Sequence, residues 1–326
     1  MKLTNFLSAV AIATVAAAGT AQAHELKFAH VYEVGHPLHK AAEKAAELLA
    51  EKTDGRHTIA VFPASSLGKE ADLNEGLSLG TVDIIYTGAG FAGSIYGPAS
   101  MTDFPFTLRN LKHWKAYYGS DVFGEVAQGY ADTTGGNEIA AVSYYGARNV
   151  TSNRPILTPA DMADLKIRVP NAPAYVLFPK AVGANPTPMA FAEVYLALQQ
   201  GVVDAQENPL PTIQAKKFYE VQSDINLTQH IINSTFTVVS GITMSDLNEE
   251  DRAILDGVLE ETAEWVTEQI VASEAELVGW FREQGTNVNE VDRAPFIEAV
   301  APALVADGMP FSKELYEKLQ AIPDAE

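Results

Sequence analysis

The 326-residue chain has no cysteine. Disulfides, thiolate nucleophiles and cysteine-ligated zinc are excluded with it. Basic residues are scarce: 22 Lys and Arg stand against 42 Asp and Glu, a formal charge of −20. Nucleic acid is not expected as a partner of so acidic a chain, because phosphate binding needs a basic patch. No apolar run beyond the first two dozen residues is long enough to cross a bilayer. No tandem repeat, low-complexity tract, H-E-x-x-H motif or Lys-bearing phosphate loop occurs either. His36 and His39 have no third His or Cys beside them, so they read as the exposed start of a helix. No metal or cofactor is expected.

What is present begins with an export signal. Met1-Lys2 is followed by an uncharged stretch from Leu3 to Ala18, and "TAQAHE" offers small residues at Ala21 and Ala23. Residues 1–23 therefore read as a signal peptide, cut after Ala23, which sends the chain to the periplasm. With no disulfide available, the exported chain needs an ordinary apolar core, and 47% hydrophobic residues can supply one. Its length favours two lobes over a single core.

"HELKFAHVY", "HTIAVFP" and "TVDIIYTG" read as strands, separated by the helical "HPLHKAAEKAAELLAEKTDG" and "KEADLNEGLSLG". That order predicts a parallel α/β sheet. A second set follows: the strand "KIRVP", the helical "APAYVLFPKAVG", the Pro-rich turn "ANPTPM", the short helix "AFAEVYLALQQG", and "VVDAQENP", a strand running into a polar loop. From Asn248 to Gly285 an i, i+3/i+4 apolar stripe predicts one long helix able to brace two lobes. The fold class is α/β: a two-lobed, type II-like binding protein with a ligand cleft between two α/β domains. The expected boundaries are 24–145 plus about 234–273 for the first lobe, and 146–233 plus about 274–326 for the second.

In "DLKIRVPN", Leu165, Ile167 and Val169 alternate with Lys166 and Arg168, and Pro170 ends the strand. Arg168 is thus either a solvated cation or a fixed guanidinium for a carboxylate. Arg148, beside Gly146 in "YYGARNVTSN", and Asn208, in "DAQENP", stand at two further strand ends. A guanidinium grips a carboxylate through two parallel N–H···O bonds, which lysine cannot reproduce. An amide can add a third donor. Tyr86, Tyr144 and Tyr145, on strands, read more readily as core than as cleft lining.

The segments "FPASSLGKEADLNEGLSLGTVDI", "ARNVTSNRPI", "KIRVPNAP", "GANPTPMAFAEVYLALQQGVVDAQENPL" and "KFYEVQ" resemble the solute-binding proteins of tripartite ATP-independent periplasmic (TRAP) transporters, the sialic-acid binders among them. The resemblance implies a non-enzymatic protein that hands a small organic acid to two membrane subunits, and with no long heptad or large exposed apolar stripe in the chain a monomer is expected. It also implies that Arg168 is the principal carboxylate anchor, that Arg148 and Asn208 assist it, and that Phe191 packs beside the ligand. Where sialic-acid binders carry an asparagine after the first strand, this chain has Val31, and Gly88 replaces a glutamate after the third strand. The anchor is kept while the groups that would read sialic acid are replaced.

His30, Glu33 and Glu70 are expected to bond ligand hydroxyls, and Asn171 completes the candidate set. Charged acceptors suit hydroxyls and repel a second carboxylate, which favours a hexuronate such as glucuronate or galacturonate. The alternatives are a C4-dicarboxylate, an aldonate or sialic acid, a sensor role, or a secreted lyase or hydrolase of acidic sugars. Glu33 could equally face water, and Glu70 could serve as the first-turn acid of its helix.

Overall fold

A computed structural model describes residues 24–325. The expected signal peptide, 1–23, lies outside the described residues. Among the described residues nine strands form one mixed sheet: β1 (His24–Ala29), β2 (His57–Phe62), β3 (Ile84–Gly88), β4 (Glu138–Ser152), β5 (Lys166–Val169), β6 (Asn185–Pro188), β7 (Ala205–Pro209), β8 (Asp224–Val239) and β9 (Asn287–Glu290). The order is β2-β1-β3-β8-β4-β7-β5-β6, with β9 added beside β8. β1 pairs in parallel with β2 and β3, as β5 does with β6 and β7. These two parallel blocks are the sheets of the two lobes. The residues "NPTP" within the expected Pro-rich turn are in fact strand β6, parallel to β5. Pro is tolerated there because β6 is the sheet edge.

β4 and β8 are long antiparallel partners that run through both blocks. Their register slips between Ile139 and Ala141, Tyr144 and Gly146, and Arg148 and Val150. Such bulges bend and twist a strand pair, which lets the pair leave one lobe and enter the other. Gly146 sits at the bend with φ +119°, and a Cβ there would lie 2.6 Å from Pro209 Cβ and 2.8 Å from Glu274 Oε1. Only glycine meets both demands. The boundary expected at 145/146 falls inside β4.

Helix Glu249–Glu283 backs this crossing. Asn248 caps it by accepting from Asp251 N at 2.9 Å, with Glu249, Glu250 and Asp251 in the first turn, where the helix dipole favours acids. Leu255, Val258, Leu259, Val266 and Ile270 join the larger apolar cluster, which takes in β1 and β3 of the first lobe, whereas Leu277 and Phe281 pack with Leu198 and Phe218 in the second lobe. At about 1.5 Å per residue its 35 residues reach across both. Thr267 Oγ1 accepts from Tyr144 N at 3.0 Å and Glu274 Oε1 from Ala147 N at 2.7 Å, tying the helix to the bend.

The last helix, Lys313–Ala321, was expected with the second lobe, but its end bonds the start of helix Leu111–Tyr118. His113 Nε2 lies 3.1 Å from Leu319 O, and Arg109 pairs with Asp324 at 2.7 Å.

Gly146→Ala is expected to lower stability by about 3 kcal/mol, summing backbone strain and overpacking. Gly135→Ala is the control: it shares a positive φ, +74°, but its Cβ would meet nothing within 4 Å. Urea midpoints that fall equally for both variants would contradict this account of the bend.

Candidate functional site

Between the lobes lies a cavity of about 700 Å³, its open mouth included, lined among others by Val31, Tyr32, Glu70, Gly88, Tyr145, Arg148, Arg168, Asn171, Tyr175, Phe191, Asn208 and Asn233. Arg168 is on β5, opposite Gln206 of β7 and Thr187 of β6. It is 2% exposed. The strand face opposite its apolar one is therefore the cavity wall, not solvent. Nε and Nη2 both donate to Met189 O, at 3.1 and 2.7 Å, which fixes the plane of the guanidinium. Nη1 is buried with no hydrogen-bond partner among the described residues. Burial, helped by the like charge of Arg148, lowers its pKa to about 10. The ring of Phe191 lies 6.0 Å from its Cζ. A buried donor without an acceptor costs about 1–3 kcal/mol, more when charged, so this group favours an anion.

Arg148 lines the same cavity but is already committed. It makes a two-pronged ion pair with Glu207, donates to Glu207 O at 2.7 Å and to Asn233 Oδ1 at 2.8 Å, and lies over the Tyr175 ring at 5.1 Å. Burial alone would lower its pKa, yet the charge and hydrogen bonds of Glu207 raise it. In Glu207 burial works upward, while Arg148 and His230 bring the pKa down to about 2. The expected assistance from Arg148 therefore comes with a partner the sequence reading overlooked. Glu207 belongs to β7, within the supposed polar loop, where its buried charge has Arg148 on one side and His230 Nε2 at 3.2 Å on the other. Asn208, next along β7, donates to Gln206 Oε1 at 2.6 Å and accepts weakly from Tyr145 OH at 3.5 Å.

The facing first-lobe wall is acidic. Glu70 Oε1 accepts from Gly88 N at 2.7 Å and Thr87 Oγ1 at 3.1 Å. Burial outweighs those bonds and raises its pKa to about 7. Behind it Asp103 accepts from Tyr175 OH at 2.5 Å, Gly90 N at 2.6 Å and Asn233 Nδ2 at 2.5 Å. Burial still lifts its pKa to about 6. Asp103 and Tyr175 carried no signal in the sequence, because their pairing joins segments far apart in the chain.

The cavity thus brings together Arg168, Arg148, Asn208, Phe191, Glu70 and the exposed Asn171. His30 and Glu33 do not line it. The His30 ring turns into the core, with Nε2 3.2 Å from His39 Nδ1 and Nδ1 accepting from Tyr32 N at 3.2 Å. Burial lowers its pKa to about 3, so it is neutral at physiological pH. Glu33 instead forms an ion pair with Lys216 of the other lobe. His36 and His39, expected at an exposed helix start, are buried. His36 reaches across to Thr212 Oγ1 at 3.0 Å, and Thr212 in turn bonds Tyr145 OH at 2.7 Å. With Lys69–Glu193 at 3.5 Å and Tyr175–Asp103, these contacts hold the lobes together over the cleft. Tyr86 is core, as expected, whereas Tyr145 lines the cavity.

Two runs imitate enzyme motifs. "GLSLG" at 76–80 has G-x-S-x-G spacing, but Ser78 ends a helix and accepts from Asn137 Nδ2. A nucleophile elbow needs a strand-to-helix turn with a histidine base. "GAGFAG" at 88–93 has dinucleotide-fingerprint spacing and follows β3. The amides of Gly88 and Gly90 are taken by Glu70 and Asp103, so two carboxylates occupy donors that a pyrophosphate would need.

The family described as DctP, bacterial extracellular solute-binding protein, family 7, matches residues 28–307. The chain is 34% identical to the sialic acid-binding periplasmic protein SiaP of Vibrio cholerae, over 99% of this chain and 100% of that protein. A TRAP periplasmic solute binding protein from Roseobacter denitrificans OCh 114, solved with bound L-galactonate, superposes with a TM-score of 0.86 at 35% identity, covering 92% of this chain and 99% of that one. Another from Roseobacter denitrificans, with bound β-D-glucuronate, gives 0.86 at 30% identity, covering 92% and 100%.

Glu70 yields a pH test. Its folded-state pKa, about 7, lies above its ordinary 4.5. Over that interval the folded protein keeps a proton that the unfolded chain has released, so stability is highest below pH 4.5 and falls as pH rises through 7. Glu70→Gln carries no such dependence. In urea melts it is expected to exceed the wild type in stability at pH 8 and to match it near pH 4.5. A gain that persists unchanged at pH 4.5 would contradict the assignment.

Proposed function

The chain belongs to the DctP family of bacterial extracellular solute-binding proteins, whose members are substrate-binding subunits of transporters and not enzymes, and we propose that it captures a hexuronate, such as glucuronate or galacturonate, for a TRAP transporter. The observation that carries this reading is the unpartnered Nη1 of Arg168, a buried, fixed cation on the cavity wall. A ligand carboxylate there would satisfy the orphan donor and gain a charge-assisted bond in a low-dielectric site. Asn208 adds a neutral amide beside it. Arg148, neutralised by Glu207, supplies field and shape rather than a second free cation.

The facing wall supports a polyhydroxylated acid. Glu70 is a strong acceptor for ligand hydroxyls, and together with Asp103 it would repel a second carboxylate. Phe191 offers an apolar face for the ring carbons. Relatives with bound L-galactonate and β-D-glucuronate share the fold at 30% identity or above. Val31 and Gly88, where sialic-acid binders carry polar side chains, weigh against sialic acid itself. On this reading ligand binding closes the lobes in the periplasm, and the closed monomer engages the transporter's membrane subunits.

A thermal-shift screen of the mature protein against hexuronates, aldonates, sialic acid and C4-dicarboxylates tests the proposal. A hexuronate at a hundred times its Kd is expected to add about 2.7 kcal/mol of stability. Arg168→Ala should weaken it by about 2–5 kcal/mol, and Arg168→Lys should not restore it. Response to dicarboxylates alone would discard the hexuronate, and equal binding by Arg168→Ala would discard the anchor.

A further inference from the structure

We propose that Tyr175 is a strut across the cleft that limits how long an acid the cavity accepts. The inference rests on the hexuronate reading and names what sets its upper size. Tyr175 belongs to the short turn Pro173–Val176 of the second lobe, yet its hydroxyl ends on the first, donating to Asp103 Oδ2 at 2.5 Å. It is 4% exposed and lines the cavity, whereas Asp103 does not. The ring therefore stands between the ligand space and Asp103, which bonds Asn233 behind it.

The room for that ring comes from two glycines. A Cβ on Gly88 would lie 2.9 Å from the Tyr175 hydroxyl, and one on Gly90 would lie 2.7 Å from Cε2. Both are closer than real side chains approach, so the turn after β3 and the ring fit only as a set. Arg148, with Cζ 5.1 Å from the ring centroid, steadies the ring.

Chemistry at this boundary follows from the hydrogen bond. The Tyr175 proton is committed to Asp103, so toward the cavity its oxygen can only accept. The carboxylate of Glu70 lies beside it, since Oε1 is 3.7 Å from the same Gly88 Cβ position. A ligand meeting this wall must present hydroxyl donors there, and a longer tail has no space to enter. Six-carbon hydroxy acids fit that description; nine-carbon sialic acid extends past it.

The test is calorimetric titration of wild type, Tyr175→Ala, Tyr175→Leu and Tyr175→Phe with D-glucuronate, D-galacturonate and N-acetylneuraminate. Wild type is expected to bind a hexuronate at least tenfold more tightly than the nine-carbon acid. Tyr175→Ala should reverse or erase that ratio, with the new binding lost again in combination with Arg168→Ala. Tyr175→Phe, which keeps the ring, should keep the limit. Should Tyr175→Ala fail to fold, Tyr175→Leu opens the same space. A wild type that binds the hexuronate while both opened variants still exclude the nine-carbon acid overturns the inference alone. A wild type that binds no hexuronate overturns the parent reading and the strut's role with it.

Discussion

A single unpaired guanidinium organises the cleft. Arg168 is held by the carbonyl of Met189 and buried between the lobes, with one amino group lacking any acceptor among the described residues. Closing the lobes without an anion leaves that donor dry, at a cost comparable to the whole stabilisation that a few hydrogen bonds give. On the proposed reading a carboxylate would remove the cost and add a charge-assisted bond. Affinity and closure then become two readings of one interaction, because a ligand shifts a conformational equilibrium only by its preference for one state. The cross-lobe contacts of Glu33, His36, Lys69 and Tyr175 are the gains that closure would add on this reading.

The two arginines divide the work. Arg148 sits where β4 crosses between lobes, and its charge is cancelled by Glu207 within a network reaching His230, Asn233 and Asp103. That network lets the bend be polar and buried without leaving a charge unsatisfied. Arg168, by contrast, has only a neutral carbonyl as hydrogen-bond partner among the described residues. The contrast in pKa direction, up for Arg148 and down for Arg168, expresses the same difference in solvation and pairing. Around them the scaffold is stiff: bulged β4 and β8, Gly146 wedged against Pro209, and one helix packed into both cores.

Much of this was legible in the chain. Period-2 alternation located β5, the strand–helix order located β1, β2 and β3, and the apolar stripe located the long helix almost to the residue. Arg168, Arg148 and Asn208 stood out as polar groups at expected strand ends, although Arg148 lies inside β4, which runs on to Ser152. What escaped depends on contacts between distant segments. A Pro-rich run read as a turn because nothing local reveals that β5 will pair with it. His36 and His39 looked exposed because their covering partners, Tyr32, Thr212 and His30, come from elsewhere in the fold. His30 and Glu33 sit near the cleft in sequence, but backbone direction turns one into the core and ion pairing draws the other to Lys216. Glu207 and Asp103 were silent because a lone acid in a strand or turn has no pattern of its own.

The absence of cysteine makes the central claim directly measurable, since introduced thiols label cleanly. Spin labels at Leu79→Cys and Val202→Cys, both exposed and in different lobes, would report the interlobe distance by double electron–electron resonance. If the unpaired Arg168 makes closure depend on a carboxylate, the free protein shows a broad, open distance population that collapses to one short distance on adding hexuronate, and Arg168→Ala does not respond to that acid. A free protein already at the short distance, unchanged by any acid, would contradict the account.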